Sequence, residues 1–164
     1  ITKSLILSDG TEVLLSANSR LEYSKFFSVD KREVTLVGEA RFSVAKEAKR
    51  PFIVRTELLQ TQVLGTVFDV KAYPATAPDV TLYEGCVEVS LNGASSQQMQ
   101  PGEQVSLNKE GKLKLAKASA TQGKWVEGEF AFDNKELMDA MIEIGSWYNI
   151  SVAFQHHHLL NERT

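Results

Sequence analysis

Apolar and polar residues alternate with a period of two along most of the first two-thirds of this chain. Such alternation predicts strands that bury one face and leave the other in water. The inward positions are Val13, Leu15, Ala17, Leu21 and Tyr23; Val34, Leu36, Ala40, Phe42 and Val44; Leu64, Phe68, Val70 and Ala72; Val80 and Leu82; and Val87, Val89 and Leu91. Tight-turn pairs such as Asp9-Gly10 and Glu110-Gly111 punctuate the pattern. Residues 1–118 are therefore predicted to be all-β, a body of many short stacked strands that is solenoid-like or sandwich-like, and the chain as a whole to be mainly β.

The apolar side chains in the middle of this β body are predicted to form its core. They are Leu36, Phe42, Phe52, Val54, Leu64, Phe68 and Val70. Tyr23 and Tyr73 are expected at strand ends, with the ring in the core and the hydroxyl in water. Cys86 is expected to be a small buried residue. Three glutamates beside strand glycines are expected on solvated faces: Glu39, Glu84 and Glu127.

The period changes after a short polar stretch at 119–124, which is predicted to be a linker. The alternation over 126–132 predicts one more strand. A helix over 134–148, the only one of more than two turns, is predicted by apolar residues at spacings of three and four: Leu137, Met141, Ile144 and Tyr148. A last strand is predicted at 150–154. Residues 125–164 are thus predicted to be a partial strand-helix-strand module, cut before its sheet is complete.

Composition places the chain among ordinary globular proteins. Its 164 residues are 43% hydrophobic and 24% charged, which is enough to bury a core without disulfides or metals. Lys and Arg number 18 against 21 Asp and Glu, a net charge of −3, so nucleic-acid binding is not expected. No apolar run approaches the roughly 20 residues that cross a bilayer. The chain begins at Ile1 rather than Met, so we expect a piece of a longer protein whose anchor or signal lies upstream.

The sequence carries no recognised motif for catalysis or cofactor binding. It has no Gly-x-Ser-x-Gly, no phosphate-binding glycine loop and no His-Glu-x-x-His. His156, His157 and His158 are consecutive, so they point in different directions, unlike metal ligands spaced along one face. An exposed polar loop is the preferred interpretation of these histidines, with native metal binding and a cloning tag as alternatives. No enzyme activity, cofactor or metal is therefore predicted.

Six runs that follow one another along the chain carry a resemblance to a known family. They lie at 7–23, 32–46, 51–54, 63–73, 80–89 and 101–104, and include Val-Leu-Gly-Thr-Val-Phe-Asp-Val at 63–70 and Val-Thr-Leu-Tyr-Glu-Gly at 80–85. Together they resemble the FecR family, periplasmic regions of membrane-anchored anti-sigma factors, in the form common among Bacteroidota. Residues 125–154 resemble the start of the C-terminal module of such proteins, which is similar to the signalling domain of secretins and TonB-dependent receptors.

The resemblance implies a signalling relay and no enzyme. A cytosolic segment that this chain lacks would hold an extracytoplasmic-function sigma factor. A transmembrane helix upstream of residue 1 would anchor the parent protein in the inner membrane. The present region would lie in the periplasm and bind the signalling domain of an outer-membrane TonB-dependent transporter. The alternative class is a carbohydrate-binding or adhesin-like β domain, which the inward positions of the few aromatics in the β body disfavour.

The incomplete module at the end of the chain is the predicted docking region. A lone strand-helix-strand unit leaves sheet edges unpaired, and unpaired edges pair with strands of other chains. We therefore expect a partner to dock along the predicted strand at 126–132, where the truncated fragment can also self-associate. The candidate protein-binding residues are Val126, Glu127, Glu129, Phe130, Phe132 and Trp147.

Overall fold

The chain is mainly β in a computed structural model, which describes residues 2–129, 132, 136–148 and 150–151. Twelve strands lie in these residues. They are β1 (Lys3–Ile6), β2 (Glu12–Leu15), β3 (Arg20–Tyr23), β4 (Arg32–Ser43), β5 (Phe52–Arg55), β6 (Gln60–Val63), β7 (Val67–Ala72), β8 (Asp79–Glu84), β9 (Val87–Ser90), β10 (Ser96–Met99), β11 (Glu103–Leu107) and β12 (Leu113–Lys117). A 3₁₀ helix, Lys124–Glu127, and helix α1, Leu137–Tyr148, follow. The predicted mainly-β class with a C-terminal helix is confirmed.

The long strand β4 belongs to two sheets. Its first half pairs antiparallel with β3 and parallel with β5, while its second half pairs antiparallel with β2 and β7. Sheet A has the order β1-β2-β4-β7-β8-β11-β12, and sheet B has the order β3-β4-β5-β6-β9-β10. The two halves of β4 meet at Gly38, whose φ of +106° and close approach to Ser19 leave no room for a Cβ. Because β10 and β12 lie beside each other, the body is nearly closed and barrel-like.

The core lies between the two sheets and takes the inward residues of both. Phe42 stacks on Phe68 with ring centroids 5.3 Å apart and packs against Phe52 at 6.0 Å. Six of the predicted core residues are buried: Leu36, Phe42, Phe52, Val54, Phe68 and Val70. The prediction for Leu64 is wrong, because this side chain is 50% exposed. The chain turns between β6 and β7 at this point, so Leu64 and Phe68 do not share one strand.

Three further side chains depart from their predicted surroundings. Tyr23 is 46% exposed rather than packed in the core. Tyr73 is buried as predicted, but its hydroxyl donates to the carbonyl of Ala17 at 2.9 Å instead of facing water. Cys86 is exposed, because it follows Gly85 in the turn between β8 and β9 rather than lying in a strand.

A buried arginine at the start of β4 joins the loops at one end of the β body. The guanidinium of Arg32 is fully buried and donates to Asp9 at 2.8 Å and to the carbonyls of Ala45 and Arg50 at 2.8 and 2.9 Å. Burial raises the pKa of Asp9, but hydrogen bonds from Thr11 and Arg32 outweigh it and hold this pKa below its ordinary value. Asp9 therefore stays a carboxylate, and its ion pair with Arg32 holds these loops to β4.

The residues that follow the β body do not begin with a strand. The strand prediction over 126–132 is wrong for the described residues, because the chain forms the 3₁₀ helix there. Gly123 and Gly128 bound this helix with φ of 81° and 79°, and left-handed residues turn the backbone away from an extended path. The amide of Glu129 donates to the carbonyl of Lys124 at 3.2 Å, so it is not open to pairing with another strand.

Helix α1 lies within the predicted span of 134–148 and ends at Tyr148 as predicted. Among the described residues it is the only helix of more than two turns. Of the strand predicted at 150–154, Ile150 and Ser151 are not in a strand, and 152–154 lie outside the described residues, as do the three histidines. No helix in the described ranges is long and apolar enough to cross a membrane.

Candidate functional site

Polar and charged residues form two rows across the outer face of sheet A. Strand pairing sets the members of each row opposite one another: Glu39, Lys71 and Asp79 in the first row, and Arg41, Asp69 and Thr81 in the second. The residues between the rows, Ala40, Val70 and Val80, point to the other side of the sheet and are buried in the core. The C-terminal segment, here the described part of 119–148, contacts both rows through hydrogen bonds and an ion pair.

Asp69 lies at the centre of a hydrogen-bond network that holds the C-terminal segment to sheet A. Its buried carboxylate accepts from Nε and Nη2 of Arg41 at 2.7 and 2.9 Å, and from the hydroxyl of Tyr83 at 2.8 Å. The indole Nε1 of the buried Trp125 donates to the same carboxylate at 3.1 Å. Burial and the neighbouring Asp69 raise the pKa of Tyr83, so its hydroxyl remains a donor at neutral pH.

The backbone of the C-terminal segment approaches this network closely at Gly123. A Cβ at this position would lie 2.5 Å from Nη2 of Arg41 and 2.5 Å from the hydroxyl oxygen of Tyr83. The residue also has a left-handed φ of +81°, a backbone conformation that residues with a side chain rarely adopt. Glycine is therefore required here both by the backbone conformation and by the contact that brings Trp125 over Asp69.

An ion pair joins helix α1 to the first row. Nζ of Lys71 lies 2.5 Å from a carboxylate oxygen of Glu143, and both side chains are 13% exposed. Burial alone would lower the pKa of Lys71, but Asp79, Glu143 and Glu39 together raise it above its ordinary value. Lys71 therefore stays a cation, and the pair is a charge-assisted contact between the helix and β7.

Glu39 is buried, although its outward position in β4 predicted a solvated face. Glu39 is 5% exposed, and no donor among the described residues reaches its Oε2. Burial raises the pKa of Glu39 to about 8, with Asp79, Glu143 and Asp69 adding to the rise and Lys71 opposing it. The carboxyl is therefore largely protonated at neutral pH. The other two glutamates, Glu84 and Glu127, are exposed as predicted.

The C-terminal segment covers sheet A without filling the space between them. Trp125 and Trp147 meet edge to face with ring centroids 6.5 Å apart, which joins the 3₁₀ helix to α1. Two clefts of about 230 and 310 Å³ remain between the segment and the sheet, and both are lined by Lys71, Asp79, Ser106 and Glu143. The contact is therefore polar and loosely packed, unlike the core between the two sheets.

The predicted protein-binding residues occupy different surroundings. Val126, Phe132 and Trp147 are half-buried, Glu127 and Glu129 are exposed, and Phe130 lies outside the described residues. Their role in binding stays a prediction. Sequence reasoning missed the residues that hold the segment in place, Asp69, Lys71 and Glu143. The available signal was the alternation of opposite charges in two strands, Glu39 with Arg41 and Asp69 with Lys71.

Comparison with known proteins gives a family and two similar structures. The sequence model of the family described as "FecR protein" matches residues 2–88. A crystal structure of a "putative anti-sigma factor" from Parabacteroides distasonis is similar with a TM-score of 0.93 and 29% identity, covering 100% of this chain and 78% of that one. A second structure of the same description and organism has a TM-score of 0.86 and 32% identity, covering 91% of this chain and 71% of that one. No curated protein matches this chain.

Proposed function

The chain belongs to the FecR family, and we propose that it is the periplasmic sensor region of a membrane-anchored anti-sigma factor. One observation carries the proposal. The family model matches residues 2–88, and the crystal structure of the "putative anti-sigma factor" from Parabacteroides distasonis matches the whole chain. The similarity therefore includes the C-terminal segment as well as the β body. The proposed boundaries are a FecR domain at 1–118, a linker at 119–124 and a partial C-terminal module at 125–164.

On this proposal the chain is a binding module and catalyses no reaction. The parent protein holds a sigma factor through a cytosolic segment, and this region binds the signalling domain of an outer-membrane TonB-dependent transporter. A relay needs a part of the molecule whose contacts can change when the partner binds. The polar contact between the C-terminal segment and sheet A is such a part, since small polar interfaces allow relative motion.

The proposed docking surface is the one predicted from the sequence. It combines the half-buried apolar side chains of Val126, Phe132 and Trp147 with the exposed carboxylates of Glu127 and Glu129. Interfaces between proteins commonly have an apolar centre and a polar rim, and this set has both. The 3₁₀ helix at 124–127 replaces the predicted strand, so docking is expected through side chains rather than by main-chain pairing along that edge.

Calorimetric titration tests the proposal. The full periplasmic region is titrated with the purified signalling domain of each TonB-dependent transporter of the source organism. One signalling domain is expected to bind with a micromolar or lower Kd, and Glu127→Arg with Glu129→Arg is expected to weaken it about tenfold or more. Glu88→Arg, an exposed glutamate on β9, is the matched control and should retain parental affinity. Binding to none of the domains would contradict the proposed function.

A further inference from the structure

The β body buries its apolar core without help from the C-terminal segment. The main cluster of buried apolar residues is drawn from residues 7 to 105, and the half-buried side chains packed against it end at Leu113. Trp125 and Ala140 are buried outside that cluster. Removing the segment from sheet A would therefore expose polar rows and leave the core intact, which is the condition for a local rather than a global opening.

Polar contacts of Trp125 and Glu143, both described residues, hold the segment on sheet A. The indole of Trp125 donates to Asp69 at 3.1 Å, and Glu143 pairs with Lys71 at 2.5 Å. When the segment separates from the sheet, water can hydrogen-bond to the polar groups of both contacts. Hydrogen bonds that exchange with water contribute only a modest net free energy, so the docked state is stabilised without being permanent.

Other features of the same contact oppose docking. Glu39 is buried beside Lys71 and the carboxylates of Asp69, Asp79 and Glu143, and Glu143, which docking brings to this position, adds to the rise in the pKa of Glu39. A buried carboxyl group whose Oε2 makes no hydrogen bond to a described residue is unfavourable, and separation of the segment would remove the carboxylate of Glu143 from its surroundings. The two clefts show that apolar packing does not compensate for this.

The contacts of the C-terminal segment thus include some that stabilise docking and some that oppose it. We propose that docking of the C-terminal segment on sheet A is autoinhibitory: Asp69 and Lys71 hold the segment so that Trp125 and Trp147 are withheld from partners, and undocking makes this region available. The proposal rests on the proposed function for what the region binds, and on the contacts above for the docking itself. The last backbone hydrogen bond of the β body, from the amide of Ala118 to the carbonyl of Gly102 at 2.8 Å, precedes the segment.

Hydrogen exchange of the chain alone, followed by mass spectrometry, tests the proposal with three variants. Trp125→Phe keeps an aromatic ring and removes the N–H donor to Asp69. It is expected to speed exchange in 124–129 and 137–148 about tenfold while the amides of β4 and β7 exchange at the parental rate. Glu39→Gln removes the buried acid and is expected to slow exchange in the same two stretches about threefold or more. Glu88→Gln is the matched control, because Glu88 is exposed and far from the contact in sheet order.

Two results would overturn the proposal. Unchanged exchange in both Trp125→Phe and Glu39→Gln would show that these groups do not set the docking equilibrium. Exchange that changes in β4 and β7 by the same factor as in α1 would show that the segment opens only when the whole protein unfolds. The exchange measurement uses no partner protein, so its result does not depend on whether the proposed function is correct. If Trp125→Phe does not fold, Glu39→Gln alone still decides between the outcomes.

Discussion

The indole nitrogen of Trp125 lies 3.1 Å from the carboxylate of Asp69, a contact between residues 56 positions apart in the chain. Asp69 is in β7 in the middle of sheet A, and Trp125 is in the 3₁₀ helix that follows the last strand. The same carboxylate already accepts from Arg41 and Tyr83. One buried acid thus joins the 3₁₀ helix to the middle of sheet A.

The stacked pair Phe42 and Phe68 should dominate the stability of the core. Phe68 is fully buried, so Phe68→Ala is expected to lower the free energy of unfolding by about 3–5 kcal/mol through lost burial and the cavity left behind. Phe26 is 74% exposed, and Phe26→Ala should change it by less than about 0.5 kcal/mol. Urea denaturation of both variants measures the difference, and equal midpoints would contradict the assignment of Phe68 to the core.

Arg32 should be the most sensitive arginine in the β body. Arg32→Ala leaves the buried Asp9 without its cation and two carbonyls without their donor, so we expect a loss of about 3–5 kcal/mol in unfolding free energy. Arg55 pairs with Glu33 at 3.1 Å on the surface, and Arg55→Ala should cost less than about 1 kcal/mol. A thermal melt of each variant provides the comparison. Similar losses for the two variants would show that the buried pair of Arg32 and Asp9 contributes no more to stability than a surface ion pair.

The two glycines around the 3₁₀ helix make a matched pair of substitutions. Both have left-handed φ, so alanine at either one is strained by roughly 1 kcal/mol. A Cβ at Gly128 meets nothing within 4 Å, whereas a Cβ at Gly123 collides with Arg41 and Tyr83. We expect Gly123→Ala to displace Trp125 and shift its fluorescence toward that of solvated indole, and Gly128→Ala to leave the spectrum close to parental. Identical spectra for the two variants would count against the close approach at Gly123.

Stability should decrease as the pH rises toward 8, because of Glu39. In the folded protein the pKa of Glu39 is raised from 4.5 to about 8, so the folded state retains a proton that the unfolded chain releases. The stabilisation that accompanies this proton is complete below about pH 4.5 and is lost as the pH rises through about 8. The charged groups that face Glu39 are Lys71 and Asp69 on β7, Asp79 on β8 and Glu143 on α1.

Denaturation at about pH 5 and about pH 8 tests this dependence. The parental protein should lose a few kcal/mol between the two conditions, and Glu39→Gln should lose clearly less, since the amide does not titrate. Glu88→Gln, a change of the same type at an exposed position, should keep the parental dependence. A parental pH dependence in Glu39→Gln would assign the effect to other groups.

Local periodicity predicts the β body because each strand repeats the same physical requirement. Phe42 lies between Arg41 and Ser43, Phe68 is followed by Asp69 and Val70 in the same alternation, and the structure buries both phenylalanines. The same reasoning fails at Leu64, because the chain turns there and the alternation of β7 does not extend back to this residue. It also fails in the described part of 126–132, where the chain leaves the 3₁₀ helix at the left-handed Gly128 although its apolar spacing resembles that of a strand.

The candidate site could not be derived from periodicity, because it depends on which distant segment covers an outward face. Glu39 and Asp69 have the spacing of ordinary solvated charges in strands. Trp125 and Glu143 cover their sheet from positions far along the chain, and no local pattern specifies that pairing. The resemblance to a family supplies what periodicity lacks, since it predicts a C-terminal module after the β body, although not the contacts between them.

The sharing of β4 between two sheets has a mechanical consequence. This strand of 12 residues is hydrogen-bonded along both edges to four different strands. Neither sheet can therefore separate from the other by sliding, since each would have to break its bonds to the common strand. We expect tension applied across the β body to be resisted until the whole body yields in one event, while the C-terminal segment detaches at far lower force.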